Sequence, residues 1–176
     1  MNMKPSEFGG LFSCMRILVV GANGAGKTVF ANKVADRLGI PVFHNDAFAL
    51  LTDWTYRPRS EIDSIRTGVL DQPRWILEGG PSLLTEHALR RADFVVWLDL
   101  PKGLRVRRIF WRCLRFIGQT RPEHPSKNVE WPGPRQCRFI VKAWRRDAET
   151  RRTVSDRLGQ TRVLHLTSQK AVNAMF

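Results

Sequence analysis

The 176-residue sequence predicts a three-layer α/β fold: a five-stranded parallel sheet with helices on both faces and a lid-like insertion. Three observations carry that expectation. Short apolar runs alternate with helix-periodic segments from residue 16 onward, the pattern of strands joined by crossover helices. The runs are apolar at odd and even positions alike, as in strands covered on both faces. The first run enters a glycine-rich turn and an amphipathic helix leaves it, so a binding site belongs beyond the carboxyl ends of the strands.

Taken in order, residues 1–14 show no periodicity, include Pro5, Gly9 and Gly10, and read as a flexible tail, with Met15 as a candidate start. Residues 15–176 read as one domain. Arg16-Ile17-Leu18-Val19-Val20 is the first strand, and the helix after the turn carries Phe30, Val34 and Leu38 at i, i+4, i+8. Gly39 and Pro41 end that helix. Pro41-Val42-Phe43-His44 is a short second strand, followed by a loop with Trp54, Tyr56 and Pro58, then a helix at 59–70. Arg74-Trp75-Ile76-Leu77-Glu78 is the third strand, 82–91 a short helix, and Phe94-Val95-Val96-Trp97-Leu98-Asp99 the fourth strand. A long basic helix starts near Pro101, with Val106, Ile109, Phe110, Cys113 and Ile117 along one face. Residues 118–135, with two glycines and four prolines, read as an irregular, mobile, lid-like loop. A second basic helix is expected over 136–158, a fifth strand over 162–166, and a short terminal helix after Thr167-Ser168.

Gly21-Ala22-Asn23-Gly24-Ala25-Gly26-Lys27-Thr28 fits G-x-x-x-x-G-K-[ST] at every fixed position. Glycines let successive N–H groups face inward around a phosphate, and the following helix adds its positive end. A chance glycine-rich turn would not sit between a buried strand and an amphipathic helix. The motif therefore predicts a P-loop NTPase fold, with ATP contacts at Gly21, Asn23, Gly24, Ala25, Gly26, Lys27, Thr28 and Val29. Lys27 is expected at the β/γ-phosphates and the Thr28 hydroxyl on Mg²⁺. Asn32-Lys33-Val34-Ala35-Asp36 is not a guanine-reading motif, because it lies inside the phosphate-loop helix.

Three carboxylates end strands. Glu78 is a candidate Mg²⁺ ligand by analogy with other phosphate-loop enzymes. Asp46 reads equally as a group that orients or deprotonates an acceptor hydroxyl and as a helix N-cap. Asp99 reads as a cap for the next helix, His165 as a core residue, and His124 as part of the loop. Arg108 and Arg112 stand four apart, share a helix face, and form a candidate clamp for transferring phosphate. Arg145 and Arg146 are candidates for its second wall, against the alternative of a solvated basic surface.

Ile17 to Leu38 with Ile40-Pro41-Val42 resembles the opening of the nucleoside-monophosphate kinase families, adenylate kinase among them. Trp75-Ile76-Leu77-Glu78-Gly79-Gly80-Pro81 resembles their third-strand segment. Val95-Val96-Trp97-Leu98-Asp99-Leu100-Pro101 is similar to their fourth strand, and Arg108-Ile109-Phe110-Trp111-Arg112 to their entry into the lid. The chain is most similar to the bacterial adenylate-kinase-like group labelled topology modulation proteins. The resemblance implies a Mg²⁺-dependent phosphotransferase taking ATP and a nucleotide or other small-molecule acceptor. It places acceptor binding at Asp46, Arg57 and Arg59 beside Trp54 and Tyr56, and the donor adenine near Thr167-Ser168-Gln169-Lys170. Two departures weigh against adenylate kinase activity itself: no arginine follows Glu78-Gly79-Gly80-Pro81, and 118–135 lacks a four-cysteine metal pattern.

Composition narrows the classes further. The 43% apolar and 26% charged content is that of a globular chain. The apolar runs are too short to span a bilayer, no secretory cleavage pattern follows the first residues, and no membrane partner is expected. Three cysteines (Cys14, Cys113, Cys137) without C-x-x-C spacing give neither a disulfide framework nor a zinc site, so a cytoplasmic, reduced setting is expected. A monomer or homodimer is expected. The net charge is +13, and residues 102–157 hold 16 basic against 5 acidic side chains. That basic third suits a phosphate clamp. It also suits a nucleic-acid-associated ATP-binding protein, with Trp111, Phe116, Phe139 and Trp144 between its arginines.

Overall fold

A computed structural model describes residues 15–52, 55–120, 128–129, 131 and 133–176. The strands are β1 (Arg16–Gly21), β2 (Val42–His44), β3 (Trp75–Gly79), β4 (Phe94–Leu98) and β5 (Val163–Leu166). They form one parallel sheet in the order β2-β3-β1-β4-β5. The helices are α1 (Lys27–Leu38), α2 (Asn45–Ala49), α3 (Arg59–Leu70), α4 (Glu86–Arg91), α5 (Lys102–Arg115), α6 (Pro134–Arg145), α7 (Asp147–Leu158) and α8 (Gln169–Asn173).

The period-two geometry of a strand divides the apolar residues of β1 between two cores. Ile17 and Val19 pack on one face with Phe30 and Ala31 of α1, and with Ala171 and Val172 of α8. Leu18 and Val20 pack on the other with Val69 of α3, Ala88 of α4 and Val154 of α7. This is why the strand sequence is apolar throughout, and it makes the expected three layers. Gly21 ends β1 opposite Leu98 of β4, where a Cβ would stand 2.5 Å from the Leu98 carbonyl oxygen. Only glycine fits there without a shift of backbone.

Four expectations need correction. Residues 45–49, expected as loop, form α2. Five residues are too few for a periodic signal, and a distant contact holds them: buried Asn45 accepts from Arg66 Nε at 2.8 Å and Nη2 at 2.6 Å. The helix expected over 82–91 is a 3₁₀ turn, Pro81–Leu83, and then α4, whose Thr85 cap accepts from the Ala88 N–H at 3.2 Å. The second basic helix breaks at Arg146 (φ −89, ψ 14) into α6 and α7. That break turns Asp147 toward a buried arginine on α5. Finally, Pro134 and Arg135 open α6 rather than closing the loop, in keeping with proline's tolerance at the first helical turn.

The tail 1–14, Trp54, His124 and half of the lid-like segment lie outside the described residues. At the segment's described edges Thr120 and Val129 form an antiparallel bridge, and buried Asn128 donates to the Leu51 carbonyl at 2.9 Å. Of the apolar face expected on α5, Ile109 is buried, whereas Phe110 and Ile117 are exposed. No described helix is long and apolar enough to cross a membrane.

Candidate active site

The carboxyl ends of β1, β2 and β3 converge on one cavity of about 580 Å³, closed on the far side by α5 and α6. The phosphate loop forms its floor. Gly24 (φ 78) and Gly26 (φ 86) take the left-handed conformation that side chains disfavour, as an inward-facing cradle of N–H groups requires. Asn23, Gly24, Gly26, Lys27, Thr28 and Val29 line the cavity. Gly21 and Ala25 do not: Gly21 is there for its close approach to β4, and Ala25 is buried in the core.

Lys27 Nζ lies 3.3 Å from the Ala22 carbonyl oxygen and donates to it. Burial lowers the pKa of this ammonium, with the carboxylates of Glu78 and Asp46 opposing the shift and the cations Arg112 and Arg105 adding to it. Glu78 is 5% exposed. Two oxygen-side partners converge on its Oε1: the Thr28 hydroxyl donates at 3.1 Å, and His44 Nδ1 lies at 3.0 Å. His44 and Glu78 are register partners on neighbouring strands, which is what brings their side chains together. Burial pushes the Glu78 carboxyl up, but the His44 hydrogen bond, the Lys27 charge and the Thr28 hydroxyl outweigh it and hold the pKa below the ordinary value. The fold thus favours the carboxylate form of Glu78, with the Thr28 hydroxyl and His44 Nδ1 both against Oε1.

Thr28 donating to Glu78 leaves its own lone pairs directed elsewhere, so a hydroxyl and a carboxylate oxygen stand side by side. That hard-oxygen pair fits Mg²⁺, which binds through one or two protein groups together with phosphate oxygens and water. No cluster of three or more His, Cys, Asp or Glu suited to a metal exists among the described residues. Asp46 lines the cavity in the first turn of α2, whose N-cap is His44, so the capping alternative for Asp46 falls away.

Arg108 and Arg112 both line the cavity, as their spacing predicts. Arg108 donates to the Ala25 carbonyl at 3.5 Å and to Gln169 Oε1, which ties α5 to the phosphate loop and to the first residue of α8. The second wall comes from residues the sequence reasoning missed: Arg135, Gln136, Phe139 and Lys142 of α6. Arg145 and Arg146, expected in that role, are not brought there. They line a separate surface depression with Cys137 and Val141, and Arg146 pairs with Glu149 at 2.6 Å. The spacing 135, 139, 142 marks one helical face and was the available signal; a kinked rather than continuous helix decides which face turns inward.

At the opposite rim Tyr56 lines the cavity. Arg57 and Arg59 do not; they pair with Glu61 at 3.3 Å and Asp63 at 2.9 Å. Asp99 caps no helix: it pairs with Arg151 at 2.9 Å and with His165 at 3.2 Å, and His165 stacks on Trp97 with centroids 4.1 Å apart. Ser168 caps α8. Of the four aromatics expected to interleave with arginines, Trp111 (62% exposed) and Trp144 (49%) are on the surface, while Phe139 faces the cavity.

No family model matches the chain. A stretch of 100 residues is 34% identical to a shikimate kinase of Symbiobacterium thermophilum, covering 48% of this chain and 58% of that relative's length. Among solved structures, shikimate kinase from Acinetobacter baumannii in complex with shikimate superposes with a TM-score of 0.55 at 19% identity, over 98% of this chain and 93% of that one. A gluconokinase from Sinorhizobium meliloti 1021 superposes with a TM-score of 0.53 at 16% identity, over 92% and 86%. These likenesses show the fold, that of small P-loop kinases.

Proposed function

We propose that the protein is an ATP-dependent, Mg²⁺-requiring phosphotransferase acting on a small hydroxylated acceptor. The observation that carries this reading is the meeting, in one cavity, of the phosphate loop, the Thr28–Glu78 oxygen pair, the Asp46 carboxylate and the cations Arg108, Arg112, Arg135 and Lys142. Phosphoryl transfer demands positioning and charge neutralisation rather than a covalent intermediate, and these groups supply both. Thr28 and Glu78 would hold Mg²⁺, which neutralises phosphate charge when bound.

In this scheme the phosphate loop and Lys27 grip the donor phosphates. Asp46 accepts the proton of the acceptor hydroxyl as its oxygen bonds to the γ-phosphorus, and the bond from that phosphorus to the β-phosphate oxygen breaks. Arg108 and Arg112 stabilise charge on the transferring group, and ADP leaves. The acceptor, in this reading, is a small polyhydroxylated acid, of the kind the shikimate kinase and gluconokinase relatives are named for, rather than a nucleotide. Its support is the 34% identity to a shikimate kinase and the pairing of Arg57 and Arg59 away from the cavity.

A coupled ADP-release assay across shikimate, gluconate and nucleoside monophosphates tests it. Turnover with a hydroxy acid is expected. Turnover with nucleoside monophosphates alone restores the nucleotide acceptor, and tight ATP binding without turnover on any acceptor sinks the kinase reading.

A second reading, nearer the topology modulation group, draws on the exposed Trp111, Trp131 and Trp144 between basic side chains, with Lys102 3.8 Å over the Trp144 ring. Such rings suit stacking on unpaired bases. Single-stranded DNA binding that weakens steeply with salt and survives Lys27→Ala supports it; no binding at low salt removes it.

A further inference from the structure

Arg105 was absorbed by none of the expected roles. It is 1% exposed, and a guanidinium taken out of water is costly unless all its nitrogens find partners. Here they do. Nε donates to the Leu100 carbonyl at 3.0 Å, Nη1 to the Asn23 carbonyl at 3.1 Å, and Nη2 to Asp147 Oδ1. The backbone of α5 is pressed onto the same turn: a Cβ on Gly24 would stand 2.4 Å from the Arg105 carbonyl oxygen.

The Asn23 contact has a geometric consequence. In a planar trans peptide the C=O and the next N–H point in opposite directions. A donor that fixes the Asn23 carbonyl on the outside of the loop therefore aims the Gly24 N–H to the other side, the side of the phosphate cavity that Asn23 and Gly24 line. Asp147 fixes the guanidinium from the first turn of α7, and Arg151 steadies that carboxylate at 3.5 Å and Asp99 at 2.9 Å.

We infer that Arg105, held by Asp147, is a positioning residue that pre-orders the Asn23–Gly24 peptide of the phosphate cradle for the donor nucleotide. The inference rests on the proposed nucleotide-dependent reading of the same site. Arg105 touches no substrate; it acts through a backbone carbonyl. Its long fork reaches three acceptors on three segments at once, which a lysine ammonium on a single stem does not reproduce.

The test must separate this role from plain stability, because removing one partner strands a buried charge. Arg105→Met alone is expected to lower the melting temperature, and Arg105→Met with Asp147→Leu to recover most of it. Affinity for Mg·ATP, measured by calorimetry on the full chain, is expected to stay about tenfold or more below wild type in the double variant, since the donor to Asn23 is still missing. Arg105→Lys should fail to rescue it. A double variant with wild-type ATP affinity overturns the inference and leaves the proposed function standing. A double variant that fails to fold shifts the test to Asp147→Asn, which leaves Arg105 and the phosphate-loop backbone unchanged and weakens only the hold on the guanidinium: ATP affinity should fall several-fold in that variant, and unchanged affinity there overturns the inference. A wild-type chain that binds no nucleoside triphosphate overturns both readings.

Discussion

The Thr28 hydroxyl donates to Glu78 Oε1 at 3.1 Å, joining the first turn of α1 to the end of β3. Fifty positions apart in sequence, these oxygens meet because β1 and β3 are parallel neighbours whose carboxyl ends open on the same cavity. The pair gives the phosphate loop its second oxygen donor. Under the proposed function Glu78 therefore serves the nucleotide site, although the core around it buries it.

Lys27→Ala should lower turnover by about 10²–10³-fold, the usual cost of losing one donor aimed at developing charge. The fold should persist, because the lysine points into the cavity rather than a core. The check is steady-state kinetics beside a circular-dichroism melt; unchanged turnover would remove Lys27 from the site.

His44→Ala should raise the Mg²⁺ concentration needed for half-maximal activity, while His44→Asn, which can still present a donor near the Nδ1 position, should retain much of the wild-type dependence. Loss of His44 frees Glu78 to rotate away from Thr28. A Mg²⁺ titration of each variant reads this out, and identical curves would make His44 a bystander.

Glu78 also sets an acid limit. Its pKa is held below the ordinary 4.5, so its ionised form is favoured by the fold. The stability it contributes is present above the unfolded value and is lost as pH falls through the lower folded value. Glu78→Gln should flatten that part of the profile of melting temperature against pH, relative to wild type.

Arg108→Ala should reduce kcat by about 10²-fold or more with a smaller change in ATP affinity, whereas Arg145→Ala should stay within about twofold on both. The contrast follows from their positions: Arg108 lines the cavity and Arg145 a separate depression. Equal losses in kcat and affinity for Arg108→Ala would reassign it to ground-state anchoring.

Gly21→Ala should cost about 1–3 kcal/mol of stability, because its Cβ would meet a backbone oxygen that cannot rotate away. For a chain of this size that lowers the melting temperature by roughly 2–12 °C. A thermal melt of the variant checks it.

Much of the fold was legible because its signals are local. The apolar runs of β1, β3 and β4, the amphipathic α1 and the Gly39 stop each depend on residues close in sequence. The phosphate loop was legible for the same reason: one turn carries its glycines, its lysine and its threonine. Glu78 and Asp46 could be placed too, since strand ends in a parallel sheet face one side.

The rest waited on tertiary structure. No local signal tells that His44 pairs with Glu78, because strand register decides it. None tells that Arg135 and Lys142 face the cavity while Arg145 turns away, because the break at Arg146 and the packing of α6 on α5 set that rotation. None marks Arg105, among many arginines, as the one buried behind the loop. The sequence by itself determined a P-loop three-layer sheet and the floor of its site. Which cations wall that site was decided only by long-range packing, since a charged side chain reads the same in sequence whether it meets water, a carboxylate or a backbone carbonyl.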